Sequence, residues 1–339
     1  MLVDALTEPF EHVDAATAVA IARDVFGIDA VDAERVETER DDTFRVTGPA
    51  GAVALKLAHP ADAPASVDLE VAAVEHALAR DPALPLARFL PRAGAGADAP
   101  TAERCPQVDG RVARCAPWMP GSSLRATPRS AAQARAVAAA QARLTAALAD
   151  FEHPAADRPV AWDLQHLARL RPQAAAVPEP SRAAVVAVLD AFDRRVAPAM
   201  ASLPRQVVHD DANLDNILVD PADPTRVTAI LDFGDASRTA RVFDLAVAAS
   251  YLLPVRDGDP EAGAILAAVL DGAGETLDLT GQERELLPLL TACRLAQRLL
   301  LGHWVVASAP DDADAVRRSL AIATRQLDAL RPLLPGDLG

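Results

Sequence analysis

Residues 207–219 read Val207-Val208-His209-Asp210-Asp211-Ala212-Asn213-Leu214-Asp215-Asn216-Ile217-Leu218-Val219, and 16 positions after Asn216 comes Ile230-Leu231-Asp232-Phe233-Gly234-Asp235. The pattern is H-x-D-x-x-x-x-N followed by D-F-G, each half set against an apolar run that reads as a strand. Carboxylates and an amide in this density are hard oxygen donors of the kind that hold divalent cations. Asp211, Asn213 and Asp215 alternate as the ligands of a calcium loop do. Yet Asn216 stands where that loop needs glycine, and Ala222 where it needs a bidentate glutamate. A solvated acidic turn is the plain alternative, and the ordered D-F-G partner with its flanking strands argues against it.

Working outward from this island, the chain changes character twice. Before it, Asp14 to Phe26 has helical spacing and stops at Gly27. Three strand-like stretches follow, Glu34 to Glu39, Thr43 to Thr47 and Ala52 to Ala58, the last two joined by Gly48-Pro49-Ala50-Gly51 as a hairpin. Val67 to Arg80 reads as a helix, and Leu86 to Pro91 and Arg111 to Met119 as two further strands. Beyond Pro120-Gly121 the periodicity is helical over Ala131 to Leu148, Ala161 to Leu170, Ser181 to Leu203, Val242 to Leu253, Glu261 to Leu270, Glu283 to Val306 and Ala313 to Leu330. Only Gln206 to Phe233 interrupts it, with strands at Ile217 to Val219 and Val227 to Leu231. The fold class is α+β, with a small antiparallel sheet unit over residues 1–118 and a larger helical unit over 119–339.

The chain has 339 residues, 51% of them hydrophobic and 24% charged, which is the composition of a globular protein. The net charge of −15 repels phosphate backbones and anionic lipid, so neither nucleic acid nor a membrane surface is an expected partner. Apolar stretches are broken well short of the roughly 20 residues that span a bilayer, and Met1 to Glu8 lacks the basic start of a signal peptide. Cys105, Cys115 and Cys293 are too few and too scattered for a disulfide framework. A cytoplasmic location is expected. Arginine has almost wholly replaced lysine: Lys56 is the one lysine, and Asn213 and Asn216 are the two asparagines. Lys56 sits in Ala52-Val53-Ala54-Leu55-Lys56-Leu57-Ala58, a strand whose alternation makes it either an outward edge residue or a buried, paired cation.

Taken together, these motifs resemble those of the aminoglycoside phosphotransferase and choline kinase superfamily, the small-molecule branch of the protein-kinase-like fold, over nearly the full length. The accessory stretches Trp118-Met119-Pro120-Gly121, Trp162-Asp163-Leu164, Phe243-Asp244-Leu245-Ala246 and Cys293-Arg294-Leu295-Ala296-Gln297 are similar to those of its hydroxylysine kinase group. The resemblance implies two lobes and a phosphoryl transfer from ATP or GTP with Mg²⁺. Asp211 is then the catalytic base that orients the attacking hydroxyl, and Asn216 and Asp232 are the metal ligands. Lys56 grips the nucleotide phosphates, with Glu70 as its ion-pair partner and Glu75 as second choice. The phosphate-covering turn falls at Glu39 to Thr43; it lacks a glycine-rich motif, so backbone N–H groups and the Thr43 hydroxyl are expected to serve. Pro117 and Met119 offer backbone to the base of the nucleotide.

His209 is read as a scaffold residue of the loop, and Asp244 as its brace or as an ordinary helix N-cap. Asp235 is a candidate substrate contact, and Trp162 and Trp304 are either core or the wall of an amine pocket. Asp210 departs from the resemblance, because glycine is usual there; a positive φ would be less comfortable with aspartate. The expected activity is a kinase acting on a hydroxyl of a small, amine-bearing, hydroxylysine-like metabolite, with a cationic acceptor. An aminoglycoside O-phosphotransferase, and a catalytically silent nucleotide- or partner-binding module, are the rivals.

Overall fold

The computed structural model describes residues 10–38, 40–96, 99–308 and 314–334. Glu39, Ala313 and the opening Met1 to Glu8, which the sequence reading used, lie outside the described residues. Asp14 caps the first helix, α1 (Ala15–Asp24), by accepting the Thr17 N–H at 2.8 Å. Strands β1 (Asp32–Val36), β2 (Asp42–Gly48) and β3 (Gly51–Leu57) follow, then helix α2 (Pro64–Arg80), the two-residue β4 (Gln107–Val108) and β5 (Arg111–Pro117). They form an antiparallel sheet in the order β1-β2-β3-β5-β4.

Alternation decides the two faces of this sheet. Phe44, Val46, Leu55, Leu57 and Cys115 are buried in one cluster with Ala18, Ile21 and Phe26 of the α1 region. The intervening positions Thr43, Lys56 and Arg114 are cross-strand partners, Thr43 with Lys56 and Lys56 with Arg114. Three polar groups from three strands therefore form one row on the opposite face.

Past Gly121 come β6 (Ser122–Ser123), α3 (Ala131–Ala147), α4 (Ser181–Ala191) and the short α5 (Ala197–Ala199). Gly121 has φ +134°, and a Cβ there would lie 2.3 Å from Thr228 Oγ1, so the crossing admits glycine alone. Strands β7 (Arg205–Val208), β8 (Ile217–Val219), β9 (Val227–Ile230) and β10 (Ser237–Ala240) carry the motif loops, and α6 (Arg241–Leu252), α7 (Ala262–Ala273), α8 (Gly281–Ser308) and α9 (Asp314–Leu330) complete the chain. Sixteen of the 28 residues of α8 are buried, which makes it the central helix of the larger apolar core. The molecule is a two-lobed, protein-kinase-like α+β fold.

Several local expectations are corrected. Leu86 to Pro91 is not a strand: Pro85 and Pro91 bracket it, and only the Leu90 N–H reaches the Cys115 carbonyl, at 2.7 Å. Ala161 to Leu170 is a 3₁₀ segment, Leu164–Ala176, capped by Asp163 and carrying Pro172. Ser181 to Leu203 breaks into α4, a π turn at Phe192–Val196, and α5, which contains Pro198 and so lacks one ladder N–H. The extra strand β10 pairs antiparallel with β7, Ser237 opposite Val208. Among the described residues no helix is long and apolar enough to cross a membrane.

Candidate active site

The loop between β7 and β8 is built by short-range bonds that the spacing itself permits. Asn213 Nδ2 donates to Asp211 Oδ2 at 2.8 Å, and Asn216 Nδ2 donates to the same oxygen at 2.6 Å and to the Asp211 carbonyl at 3.0 Å. Asn213 Oδ1 in turn accepts the N–H groups of Asp215 and Asn216. Both asparagines of the chain thus fix the orientation of one carboxylate, and Asn216 Oδ1 is left turned away from these bonds.

His209 is a scaffold. Its Nδ1 accepts the Asp211 N–H at 3.2 Å, so the ring proton sits on Nε2, 2.9 Å from the Leu231 carbonyl that accepts it. Its edge also meets the Phe233 ring, centroids 4.7 Å apart. Asp244 lies inside the first turn of α6, whose N-cap is Ala240, so the ordinary N-cap reading fails. The Asp244 carboxylate accepts the Asp210 N–H at 2.8 Å, Gln141 Nε2 at 2.9 Å and Thr145 Oγ1 at 3.2 Å. Burial pushes its pKa above the ordinary carboxylate value, and the field of His209 and those donors work against the shift.

Asp210 does have positive φ, +62°. Its side chain is fully buried, and neither carboxyl oxygen has a hydrogen-bond partner among the described residues. Burial drives it well above the ordinary carboxylate range, with Asp163 adding to the shift and Arg294 opposing it.

Opposite the loop, Lys56 Nζ lies 2.8 Å from Asp232 Oδ2. Burial alone would lower the lysine, and the charges of Asp232 and Glu70 reverse that; burial would raise Asp232, and Lys56 holds it well below the usual carboxylate range. Asp232 itself has φ +63° and takes the Gly234 N–H on Oδ1. The expected Lys56–Glu70 pair is replaced. Glu70, 3% exposed, sits 2.7 Å from Arg114 Nε, and feels Lys56 only through its field. Glu75, the second choice, pairs with Arg88.

Arg114 was missed by the sequence reading. It is 3% exposed and also binds Asp41 at 2.6 Å, so it ties α2 to the turn before β2. That turn has three ties: Arg40 Nε to Asp62 at 2.9 Å, Asp41 to Arg114, and the buried Asp42 to Arg111 at 2.6 Å. Ion pairs take the place of glycines. Thr43 Oγ1 is buried and unpartnered among the described residues, in the same row as Lys56. Pro117 ends β5 opposite Val53, the Trp118 N–H goes to the Ala52 carbonyl, and Met119 is half-buried at the crossing between the lobes.

On the acceptor side Asp215 is engaged by Arg125 Nε at 2.8 Å and Ser123 Oγ at 3.1 Å, which removes it from the set of acids facing an amine. Asp235 is near Arg40 and Arg158 in charge, and Arg158 Nη1 binds the Ala236 carbonyl at 2.6 Å. Arg294 of α8 was quoted with a motif and given no role. It is 1% exposed, and its Nη2 is 3.3 Å from Asp211 Oδ1. Trp162 stacks on Arg294, 4.8 Å from centroid to Cζ, and Trp304 packs on the core; neither makes a free aromatic wall.

For a divalent cation, the donor set offers Asn216 Oδ1 and the Asp232 carboxylate, both hard oxygens. A cation that retains waters and takes phosphate oxygens needs no more from the protein, so these residues fit one. No cluster of three acidic, histidine or cysteine side chains suited to a protein-only metal cage occurs among the described residues.

The chain is similar to known proteins in sequence and in fold. Hydroxylysine kinase of Xenopus laevis is 27% identical over 181 residues, 51% of this chain and 47% of that protein. Hydroxylysine kinase of Mus musculus is 25% identical over 218 residues, 61% of this chain and 57% of that protein. The matches thus span about half the length of these relatives. Two solved structures share the fold: an aminopropanol kinase associated with a microcompartment, TM-score 0.69 at 18% identity, covering 94% of this chain and 98% of that one, and the amicoumacin kinase hAmiN in complex with AMP-PNP, Ca²⁺ and Ami, TM-score 0.68 at 13% identity, covering 96% of each. The model of the phosphotransferase enzyme family (APH) matches residues 32–279, most of the chain and every residue of the site from Thr43 to Asp244, and the protein belongs to that family.

Proposed function

We propose that this chain is a small-molecule kinase that transfers the γ-phosphoryl of ATP or GTP to a hydroxyl of an amine-bearing, hydroxylysine-like metabolite. The observation that carries the reading is the Asp211 carboxylate, oriented by Asn213 and Asn216 on a loop whose Asn216 carbonyl accepts the Leu231 N–H at 2.8 Å, next in the chain to Asp232 and its partner Lys56. Asp211 accepts the proton of the acceptor hydroxyl as it attacks. His209 holds the loop and moves no proton. Lys56 leaves Asp232 for the α- and β-phosphates, and Asn216 with Asp232 would hold Mg²⁺, which supplies neutralisation of phosphate charge when bound. Thr43 and the ion-paired turn cover the phosphates, and the backbone of Pro117 and Met119 receives the base of the nucleotide. Residues 1–118 form the nucleotide lobe and residues 119–339 the acceptor lobe.

A cationic acceptor is favoured by the acidic balance of the chain, net −15, and by the names of the hydroxylysine and aminopropanol kinases among the similar proteins. The three cysteines are unpaired, and burial raises the Cys105 thiol to about 11 and the Cys115 thiol to about 12, which leaves both unreactive; a cytoplasmic setting is part of the same reading. The test is nucleoside diphosphate release from Mg-ATP or Mg-GTP with hydroxylysine, aminopropanol, ethanolamine, choline, homoserine and aminoglycosides, with Asp211→Asn as blank. Release with a single amino alcohol supports the reading. Release with aminoglycosides alone transfers it to antibiotic phosphorylation, and nucleotide binding without release on any acceptor transfers it to a silent module.

A further inference from the structure

Two arginines of α8, Arg294 and Arg298, lie one turn apart and are 1% and 7% exposed. A guanidinium inside a protein is costly unless an anion stands opposite. Arg298 has neutral partners only: Gln326 Oε1 at 3.0 Å, Ser319 Oγ at 3.3 Å and the face of Tyr251 at 4.3 Å. Arg129 Nη2 binds the backbone carbonyl of the same tyrosine at 3.2 Å, and its buried Nε has no acceptor among the described residues. Arg294 shares its charge with Asp211 and gives Nη1 to the Trp162 carbonyl at 2.6 Å and Gln297 Oε1 at 3.0 Å, and only its buried Nε is unpartnered among the described residues. Burial presses Arg298 and Arg129 below the ordinary guanidinium value, and Arg294 presses further on Arg298. Asp259 near Arg129 offsets part of this, although its carboxylate also accepts the Val255 and Arg256 N–H groups.

The cluster thus holds surplus positive charge, in a chain whose net charge is −15, and it begins at the catalytic base. A molecule that brings a hydroxyl to Asp211 comes next to Arg294, the member of the cluster that touches that carboxylate. Tyr251 and Trp162 are only half-buried, so the cluster has an edge toward solvent. We infer that Arg129, Arg294 and Arg298, grouped around Tyr251, form a subsite for a carboxylate of the acceptor, which makes the substrate a hydroxy amino acid and not a simple amino alcohol or an aminoglycoside. This rests on the kinase reading above. The planar fork of arginine fits a carboxylate through two parallel hydrogen bonds, and the unpartnered Nε groups of Arg129 and Arg294 are the donors left to supply them.

The test compares hydroxylysine with 1,5-diaminopentan-2-ol, which keeps both amines and the hydroxyl and lacks the carboxylate, in steady-state kinetics of the wild type, Arg298→Gln and Arg129→Gln. The wild type should favour hydroxylysine by roughly tenfold or more in kcat/KM, chiefly through KM. The preference should collapse in Arg298→Gln, or in Arg129→Gln should the first variant not fold. Equal kcat/KM in the wild type, or a preference that survives in the variants, overturns the subsite. A second readout does not depend on turnover: thermal unfolding of the full chain as sodium acetate replaces sodium chloride at fixed ionic strength. A rise in Tm confined to the wild type supports the subsite even where neither acceptor is phosphorylated, and the failure then belongs to the acceptor reading; the absence of a rise overturns it.

Discussion

Lys56 Nζ and Asp232 Oδ2, 176 residues apart in sequence, are 2.8 Å apart in space. The cation that should grip phosphate occupies the carboxylate that should hold metal. Each neutralises the other, and on the proposed reading Mg-nucleotide would give the ammonium a phosphate partner and the carboxylate a metal.

Lys56→Met should therefore do two opposite things. Isothermal titration should find tighter binding of Mg²⁺ alone, because Asp232 loses its counter-ion, while phosphoryl transfer falls by roughly 10²-fold or more as a phosphate contact is lost. Mg²⁺ affinity that stays at the wild-type value would mean that the pair does not gate the metal site.

Asp211→Asn keeps the shape of the loop and removes the proton acceptor. We expect kcat to fall by about 10²- to 10⁴-fold, with Mg-nucleotide affinity within about threefold of wild type. Fluorescent-nucleotide titration beside single-turnover assays separates the two numbers, and a normal kcat would remove Asp211 from the role of base.

Arg114 joins Glu70 of α2 to Asp41 of the turn before β2. Arg114→Met leaves two carboxylates facing one another near Lys56, and should cost roughly 3–5 kcal/mol in urea unfolding. Arg114→Lys reaches one partner only. Its nucleotide KM should rise while kcat is largely kept, because the tie to the phosphate-covering turn is the one that gives way.

Asp210→Gly should stabilise the protein, and increasingly so with rising pH. In the folded chain the Asp210 carboxyl is held well above its usual 3.8 by burial. Below that usual value both folded and unfolded chains carry the proton and no pH-dependent term arises. As pH rises past it the unfolded chain releases the proton while the folded chain retains it, so wild-type stability declines. Glycine removes this decline and also relaxes the φ of +62°, worth about 1 kcal/mol on its own. Chemical denaturation at pH 4.5 and 7.5 should show the larger gain at the higher pH; a gain independent of pH would assign it to the backbone alone.

Much of the motif loop was legible because its bonds are local. Asp211, Asn213 and Asn216 meet through two- and five-residue separations, and a spacing that short translates into contact. The strand at Leu86 to Pro91 was misread because apolar alternation continued through residues whose flanking prolines deny the ladder its donors. Arg114 was invisible for a different reason. It has the same signature as Lys56, one basic residue amid apolar strand neighbours, but in a chain where arginine has displaced lysine an arginine attracts no notice. Arg294 was passed over because helical periodicity marks which side of α8 is inward and says nothing about a charge placed there.

By itself the sequence determined the two-lobed plan, the order of the motifs and the makeup of the catalytic loop, since periodicity and short spacings act through neighbours along the chain. Only the tertiary structure decided which cation meets which carboxylate. Glu70 went to Arg114 and Lys56 to Asp232, and Arg294 came within 3.3 Å of Asp211 across 83 residues. An ion pair depends on where two side-chain tips lie to within about an ångström, and that is set by sheet register and helix packing, which no single stretch of sequence contains.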